Sequence, residues 1–382
     1  MKIMAQPPYP RPEVSDPALV RPDRTRPETR DPAKLWLDKN ENPDPALAAV
    51  VRAVIASLPP EAHSTYPDLA PLYLKLARHV GVGAENILLA PGSDGAIRAV
   101  FETFVSPGET VILTAPTFAM YPVYGHIFGA RVATVEYRVS NAGPALSAET
   151  LIEAIGREKP RLVCLPNPDS PTGTVFAAAE LERIVAAAGA TGAVMLVDEA
   201  YYPFHPETAV PLTARHPHLV VVRSTGKAWG MAGLRIGYAV ADARVAAMLH
   251  KVRSMYEVGT FSAAVFERML DRHVEVMASV ARLQAGKSAF LKAMDTLGFA
   301  TLKGAGNFCH VSFGARVARA NPRAPIEMRP YRGDKIHAAL ADLVYYRHDS
   351  AAPCLKGFSR FSAATPEQMA PLIARIQRAA KT

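Results

Sequence analysis

Residues 224–237 read STGKAWGMAGLRIG and directly follow the apolar run LVVVR at 219–223. Within this stretch, Lys227 stands three residues after Ser224 and eight before Arg235, among small residues. A lysine in this setting can hold an aldehyde cofactor as a Schiff base, while the hydroxyl and the guanidinium bind the phosphate of the same cofactor. The stretch therefore predicts a site for pyridoxal 5′-phosphate (PLP) at the end of a buried strand.

The composition is typical of a globular protein. The 382 residues are 49% hydrophobic and 20% charged, and this length favours two domains. The net charge of +8 is spread along the chain, which favours an anionic substrate over nucleic acid as the partner. No run of eighteen apolar residues predicts a transmembrane helix, and residues 1–12 lack the apolar core of a signal peptide, so no membrane partner is expected.

The cysteine pattern bears on metal binding and on location. Cys164, Cys309 and Cys354 stand far apart in the chain, without the spacing of a metal site or of a redox pair. We therefore expect no metal site, and we expect a reducing, cytoplasmic setting.

Three regions of the chain differ in pattern. Residues 1–34 are rich in proline and arginine and predict an arm without its own core, either a disordered tail or an arm that wraps a partner subunit. In residues 35–260, apolar runs alternate with helical patterns, which predicts a large α/β domain with a mostly parallel sheet and helices on both faces. Residues 261–382 predict a smaller α+β C-terminal domain, to which the start of the preceding region also contributes.

Polar residues follow the ends of several predicted strands in the large domain. They are the loop at 167–173, Asp198 with Tyr201, and Ser224 with Lys227. Ligands of parallel α/β sheets bind outside the carboxyl ends of the strands, so these residues are expected to surround one cleft.

Eight motifs stand in the order in which one known family carries them. They are LDKNENP (37–43), TYPD (65–68), APGSDGAI (90–97), APTFAMY (115–121), NPDSPTG (167–173), VDEAYYPF (197–204), STGKAWGMAGLRIGY (224–238) and LKGFSRFS (355–362). From residue 37 onward the chain resembles the fold-type I PLP enzymes, and among them the class I and II aminotransferases nearest to histidinol-phosphate aminotransferase. The resemblance implies PLP as cofactor, amino transfer in amino-acid biosynthesis, and a homodimer with shared active sites.

Three residues carry the catalysis in this resemblance. Lys227 binds the cofactor and then moves protons, Asp198 pairs with its pyridine nitrogen, and Tyr201 hydrogen-bonds its phenolic oxygen. From the residues alone, Asp198 is also typical of a helix N-cap after a strand. Ser170 departs from the family, because it stands where an asparagine normally donates to the phenolic oxygen; a serine hydroxyl is shorter but still donates one hydrogen bond.

The resemblance also implies contacts to the phosphate and the ring of the cofactor. The glycine turn at 92–95 opens a helix whose free N–H groups suit a phosphate. Tyr66 is expected to reach the cofactor phosphate of the neighbouring subunit, and Phe118 to stack on the ring, although a lone aromatic is also typical of core packing. The expected cofactor-binding residues are Tyr66, Ser93, Asp94, Gly95, Phe118, Ser170, Asp198, Tyr201, Ser224, Lys227 and Arg235.

Three residues are expected at the substrate. Arg360 in LKGFSRFS matches the arginine that forks onto the substrate α-carboxylate, and Arg347 in LVYYRHD resembles a second anion-binding arginine. An arginine at an exposed strand end is also common, and this remains the alternative interpretation of Arg347. Asn307 is expected to line the pocket. Two guanidiniums in one pocket predict a substrate with two anionic groups or one phosphate.

Two other functions use the same motifs. A PLP-dependent decarboxylase similar to threonine-phosphate decarboxylase shares the scaffold and differs in which substrate bond is oriented for cleavage. A PLP-sensing domain of a transcription regulator needs a DNA-binding domain, and an arm of 34 residues is too short for a helix-turn-helix. We therefore rank the aminotransferase first and the decarboxylase second.

Overall fold

The computed structural model describes residues 10–17, 19–22, 25, 30–140, 142–318, 327–330, 333–348 and 350–381. The described strands are β1 (Leu35–Trp36), β2 (Ile87–Ala90), β3 (Thr110–Ala115), β4 (Arg131–Glu136), β5 (Arg138–Ser140), β6 (Gly143–Ala145), β7 (Leu162–Pro166), β8 (Val194–Asp198), β9 (Leu219–Ser224), β10 (Gly237–Ala241), β11 (Phe299–Leu302), β12 (Phe308–Ala318), β13 (Glu327–Pro330), β14 (Val344–Tyr345) and β15 (Ser359–Ser362). The described α-helices are α1 (Pro12–Ser15), α2 (Pro45–Ala56), α3 (Ala70–Val80), α4 (Gly92–Phe104), α5 (Met120–Ile127), α6 (Ala148–Glu158), α7 (Ala178–Ala190), α8 (Ala243–Leu249), α9 (Thr260–Met269), α10 (His273–Thr296), α11 (Gly333–Leu340) and α12 (Pro366–Ala379).

The predicted N-terminal arm is described only in part, because residues 1–9, 18, 23–24 and 26–29 lie outside the described residues. In the described part, Arg11 donates to the Ile127 carbonyl at 2.7 Å. Arg30 forms an ion pair with Asp38 at 2.6 Å. These contacts hold two points of the arm against the rest of the same chain.

A seven-stranded sheet forms the centre of the large domain, in the order β2-β10-β9-β8-β7-β3-β4. The strand pairs from β9 to β4 are parallel, and β10 runs antiparallel to both of its neighbours. The prediction of a mostly parallel α/β sheet is confirmed.

The central strands are buried on both faces. Along β8, for example, Met195 and Val197 pack in one core cluster and Leu196 in the other, because successive side chains point to opposite faces. Helices cover both faces and exclude water from them. This burial explains why these strands read as continuous apolar runs instead of alternating polar and apolar residues.

A second, smaller core lies around the four-stranded sheet of β11, β12, β13 and β15. Helix α10 joins the two cores, since Val276 and Leu283 pack in the large one and Phe290 and Met294 in the small one. Strand β1 pairs in parallel with β14, which brings the start of the large region to the C-terminal part. No helix among the described residues is long and apolar enough to cross a membrane.

Candidate active site

A cavity of about 760 Å³ opens where β7, β8 and β9 end. Residues 38–40, the loops after these strands and the smaller sheet form its walls. Most of the predicted site residues line it, namely Ser93, Asp94, Phe118, Ser170, Asp198, Tyr201, Ser224, Lys227, Arg235, Arg347 and Arg360. Residues that are up to 267 positions apart in the sequence therefore meet in one place.

Lys227 enters the cavity from the loop after β9, and its side chain is half-buried. Its Nζ donates to the Lys39 carbonyl at 2.9 Å and lies 6.0 Å from the centre of the Tyr201 ring. Burial lowers the pKa of Lys227 to about 8, and the charges of Arg360 and Arg235 act in the same direction. A fraction of the amine is therefore neutral near neutral pH, and the neutral amine is the form that attacks a carbonyl carbon.

Asp198 is the last residue of β8, and only 5% of it is exposed. Its carboxylate accepts the Ala200 N–H at 2.9 Å and the Tyr121 hydroxyl at 3.0 Å. Burial raises the pKa of Asp198 to about 6, while the hydrogen bond from Tyr121 opposes the rise. A cationic ring nitrogen beside this carboxylate would favour its ionised form, so the position suits a pyridinium partner.

Tyr201 is buried beside these groups, three residues after Asp198. Its hydroxyl accepts a hydrogen bond from the Asn40 amide at 2.8 Å, and its ring packs edge-on against Phe308 at 5.3 Å. Burial raises the pKa of Tyr201, while the charge of Arg360 and hydrogen bonds with Ser170 and Asn40 oppose the rise. The hydroxyl therefore keeps its proton and remains a hydrogen-bond donor.

One end of the cavity has the donors that a phosphate needs. Helix α4 begins at Gly92, whose φ of +77° favours glycine. A Cβ on Gly92 would lie 2.7 Å from Arg235 Nη2, so the missing side chain leaves room for the guanidinium. Ser93, Ser224 and Arg235 all line the cavity at this point. Helix N–H groups, a hydroxyl and a guanidinium together fit a phosphate dianion.

The smaller sheet contributes an anion site. Arg347 and Arg360 pair through two backbone hydrogen bonds, and both guanidiniums donate to the Asp38 carbonyl, at 3.2 and 3.0 Å. The buried Nε of Arg360 has no hydrogen-bond partner among the described residues. The Asp38 carboxylate acts on Arg360 but is already paired with Arg30 at 2.6 Å, so it does not balance both guanidiniums, and this place favours an anionic ligand.

Three predicted residues lie outside the cavity lining. Gly95 is in the first turn of α4, where an added Cβ would meet the Pro91 ring at 2.7 Å. Asn307 is fully buried and donates to the Asn40 carbonyl at 2.9 Å, so its amide holds the cavity wall from behind. Tyr66 is 80% exposed and stacks on Tyr256 at 4.5 Å, away from the cavity of its own chain.

Two residues that directly contact the site residues were not predicted from the sequence. Tyr121, buried against Asp198, is the last letter of APTFAMY, and Asn40, bound to Tyr201, is the fourth of LDKNENP. The signal was present, since both stand inside motifs that the sequence analysis singled out. Their partners are 77 and 161 positions away, and such pairings become visible only in three dimensions.

Comparison with known proteins identifies the family of this chain. Residues 32–376 match the family model described as aminotransferase class I and II. Histidinol-phosphate aminotransferase of Roseiflexus castenholzii is 32% identical over 341 residues, covering 87% of this chain and 86% of that protein. The same enzyme of Caldanaerobacter subterraneus is 36% identical over 235 residues; this alignment covers 61% of the chain but only 65% of the relative, less than two thirds of its length.

Solved structures show the same fold. The crystal structure of histidinol-phosphate aminotransferase from Sinorhizobium meliloti, in complex with pyridoxal-5′-phosphate, aligns with a TM-score of 0.73 over 91% of each chain. Its sequence identity is 24%, so this likeness concerns the fold.

Proposed function

This chain belongs to the class I and II aminotransferases, and from that premise we propose that it moves an amino group between an amino acid and a keto acid or phosphorylated keto substrate, similarly to histidinol-phosphate aminotransferase. The observation that carries the proposal is the meeting of Lys227, Asp198 and the Arg347–Arg360 pair in one cavity. A reactive amine, a buried carboxylate and paired guanidiniums are the groups that amino transfer on an anionic substrate requires.

PLP is the cofactor of this family, and the residues of the cavity fit it. Arg235, Ser224 and the first turn of α4 would hold its phosphate, Asp198 its ring nitrogen, Tyr201 its phenolic oxygen and Lys227 its aldehyde carbon. When bound, the protonated ring withdraws electrons from the substrate Cα and so weakens the bonds at that atom.

The protein residues supply proton transfer and electrostatics. Lys227 Nζ would remove a proton from the substrate Cα and donate a proton to the carbon on the cofactor side of the transferred nitrogen, and a pKa of about 8 suits both transfers near neutral pH. Asp198 is ionised above about pH 6 and keeps the ring nitrogen protonated. Tyr201, held by Asn40 at 2.8 Å, would donate a hydrogen bond to the phenolic oxygen, where Ser170 replaces the usual asparagine.

The arginine pair supports an anionic substrate. Arg360 and Arg347 donate to the same Asp38 carbonyl, so their guanidiniums lie close together and an oxoanion beside that carbonyl would contact both. Lys227 faces the same cavity and adds positive charge whenever it is protonated. A substrate with two anionic groups or one phosphate balances these charges, while a neutral side chain does not.

We also propose a homodimer with shared active sites and a cytoplasmic location. Tyr66, Met255 and Tyr256 expose apolar surface close together, at 80%, 81% and 44%, and Tyr66 stacks on Tyr256. Such a patch favours burial against another subunit. The cytoplasmic proposal is supported by the three cysteines, which are free and buried.

A half-reaction screen tests the proposed function. Purified holoenzyme is mixed separately with histidinol phosphate, L-glutamate, L-aspartate, L-alanine and L-phenylalanine, and the bound cofactor is followed by absorbance. We expect stoichiometric conversion to the amine form of the cofactor with release of a carbonyl product, fastest for a phosphorylated or dianionic donor.

Two outcomes of the screen would overturn the proposal. Release of one CO2 per substrate, without a keto product, would support the decarboxylase. No spectral change with any donor, from holoenzyme that carries a full complement of cofactor, would remove both reactions. The Lys227→Ala variant serves as the inactive control.

A further inference from the structure

His310 is a polar side chain that neither the motifs nor the proposed mechanism uses. It lies on β12, is only 1% exposed and lines the same cavity as Lys227 and Arg360. Neither of its ring nitrogens makes a hydrogen bond of normal length and angle among the described residues, although the Pro171 carbonyl lies near the ring. An unsatisfied buried imidazole is unfavourable in a folded protein, so its presence calls for a partner that enters the cavity.

His310 stands next to the anion site. Its partner on the antiparallel strand β15 is Arg360, and side chains at paired positions project from the same face of a sheet. Phe308, two residues earlier on that face, contacts both, since the imidazole packs edge-on against its ring at 5.6 Å and the guanidinium lies 5.5 Å from its centre. The phenyl ring thus supports both polar groups at one wall.

The electrostatics of the wall keep the imidazole uncharged. Burial lowers the pKa of His310 to about 3, and the positive charges of Arg360 and Lys287 act in the same direction, while a weak hydrogen bond to the Pro171 carbonyl opposes them. A neutral imidazole has one N–H donor and one acceptor nitrogen. The cavity already contains several positive charges. The neutral imidazole therefore adds a hydrogen-bond donor without adding a further positive charge.

We propose that His310 is a substrate-binding residue, whose ring N–H donates to an oxygen of the same carboxylate or phosphate group that Arg360 binds. The Nε of Arg360 is likewise buried without a partner among the described residues, so two donors on neighbouring strands require acceptors. An oxoanion has several acceptor oxygens and satisfies both. The assignment depends on the proposed function in one respect: it assumes that the substrate binds at the end of the cavity lined by Arg360 and His310.

Anion binding to the holoenzyme tests the proposal without turnover. Using holoenzyme keeps the cofactor's own phosphate site filled. Calorimetry gives the Kd of inorganic phosphate and, separately, of succinate for the wild type and for His310→Phe. Because hydrogen bonds to charged groups are the stronger ones, we expect the Kd of the preferred anion to rise about 10- to 100-fold in His310→Phe. The anion whose Kd rises identifies phosphate or carboxylate as the group that His310 recognises.

Further variants separate binding from folding. Cys309→Ala changes the neighbouring residue, which packs in the small core, and is expected to leave both Kd values within about twofold of wild type. His310→Asn and His310→Gln place an amide N–H near the positions of the two ring nitrogens, and we expect one of them to bind the anion within about threefold of wild type. These two variants decide the question if His310→Phe fails to fold.

Two results would overturn the assignment. One is unchanged anion affinity in a His310→Phe holoenzyme with normal melting temperature and cofactor absorbance. The other is equal affinity in the Asn and Gln variants, whether both match wild type or both are weak, because a directed hydrogen bond distinguishes their geometries. A protein that fails to transaminate any donor but loses anion affinity in His310→Phe would refute the proposed function and leave the role of His310 standing.

Discussion

Replacing Asp198 by asparagine is expected to stabilise the apoprotein and at the same time to remove most of the activity. The substitution keeps the shape of the side chain and an oxygen for the Ala200 N–H, and it removes the charge. In the apoprotein that charge is buried at 5% exposure, while in the holoenzyme it is the proposed partner of the ring nitrogen. The two effects therefore have opposite signs.

The size of the stability effect follows from the pKa of Asp198. Burial raises it from 3.8 to about 6, and at 1.36 kcal/mol per pKa unit this corresponds to about 3 kcal/mol at neutral pH. The folded state holds the proton more tightly than the unfolded state, so the wild type loses stability as pH rises from about 4 through about 6. The advantage of Asp198→Asn should grow over this range and level off at up to about 3 kcal/mol.

Urea unfolding of the two apoproteins between pH 4 and pH 8 measures the stability difference. The activity is measured as turnover of the two holoenzymes. Turnover of Asp198→Asn should be on the order of thousandfold lower than that of the wild type, because loss of a buried ionic partner costs several kcal/mol. Asp169→Asn is a matched control: burial raises the pKa of Asp169 to about 7, and the residue does not line the cavity. It should lose far less activity.

Two results would refute this reasoning. Near-normal turnover of Asp198→Asn would show that Asp198 acts as a structural cap instead of a cofactor partner. A less stable Asp198→Asn apoprotein at pH 8 would show that the buried charge is balanced within the protein.

Three further predictions concern other parts of the site. Gly92→Ala should weaken cofactor binding and cost about 1 kcal/mol or more in stability, because φ is +77° and the new Cβ meets Arg235; unchanged cofactor affinity in titrations would contradict it. Arg360→Lys should raise KM for every substrate, whereas Arg347→Ala should raise KM only for dianionic or phosphorylated ones, as steady-state kinetics with paired substrates would reveal; equal losses for all substrates would make Arg347 structural. Sedimentation should find an active dimer that Tyr66→Ala weakens, and an active monomer would exclude shared sites.

Much of the fold could be predicted from the sequence, because the signals are local. The apolar runs that became β7, β8 and β9 are continuous, as strands buried on both faces must be. The antiparallel direction of β10 was not predicted, since its apolar run does not encode direction. Nor was the dual role of α10, whose two halves pack in different cores.

Site residues could be predicted where they stand in motifs. They could not be predicted where their role depends on a partner that is distant in the sequence. Lys227, Asp198 and Arg360 were identified from their motifs, and they line one cavity. The hydrogen bond of Tyr121 with Asp198 links α5 to β8, and the cross-strand pairing of His310 with Arg360 depends on the register of β12 against β15. Register is set by long-range packing, which one sequence does not reveal.

The role proposed for Lys227 is tested by locating the residue to which the cofactor is covalently attached. Borohydride reduction of the holoenzyme, followed by proteolysis and mass spectrometry, fixes the cofactor to the lysine that holds it. We expect one labelled peptide, with the added mass on Lys227, and no label in Lys227→Ala. Label on another lysine, such as the buried Lys287, or a labelled Lys227→Ala protein with unchanged cofactor absorbance, would contradict this role.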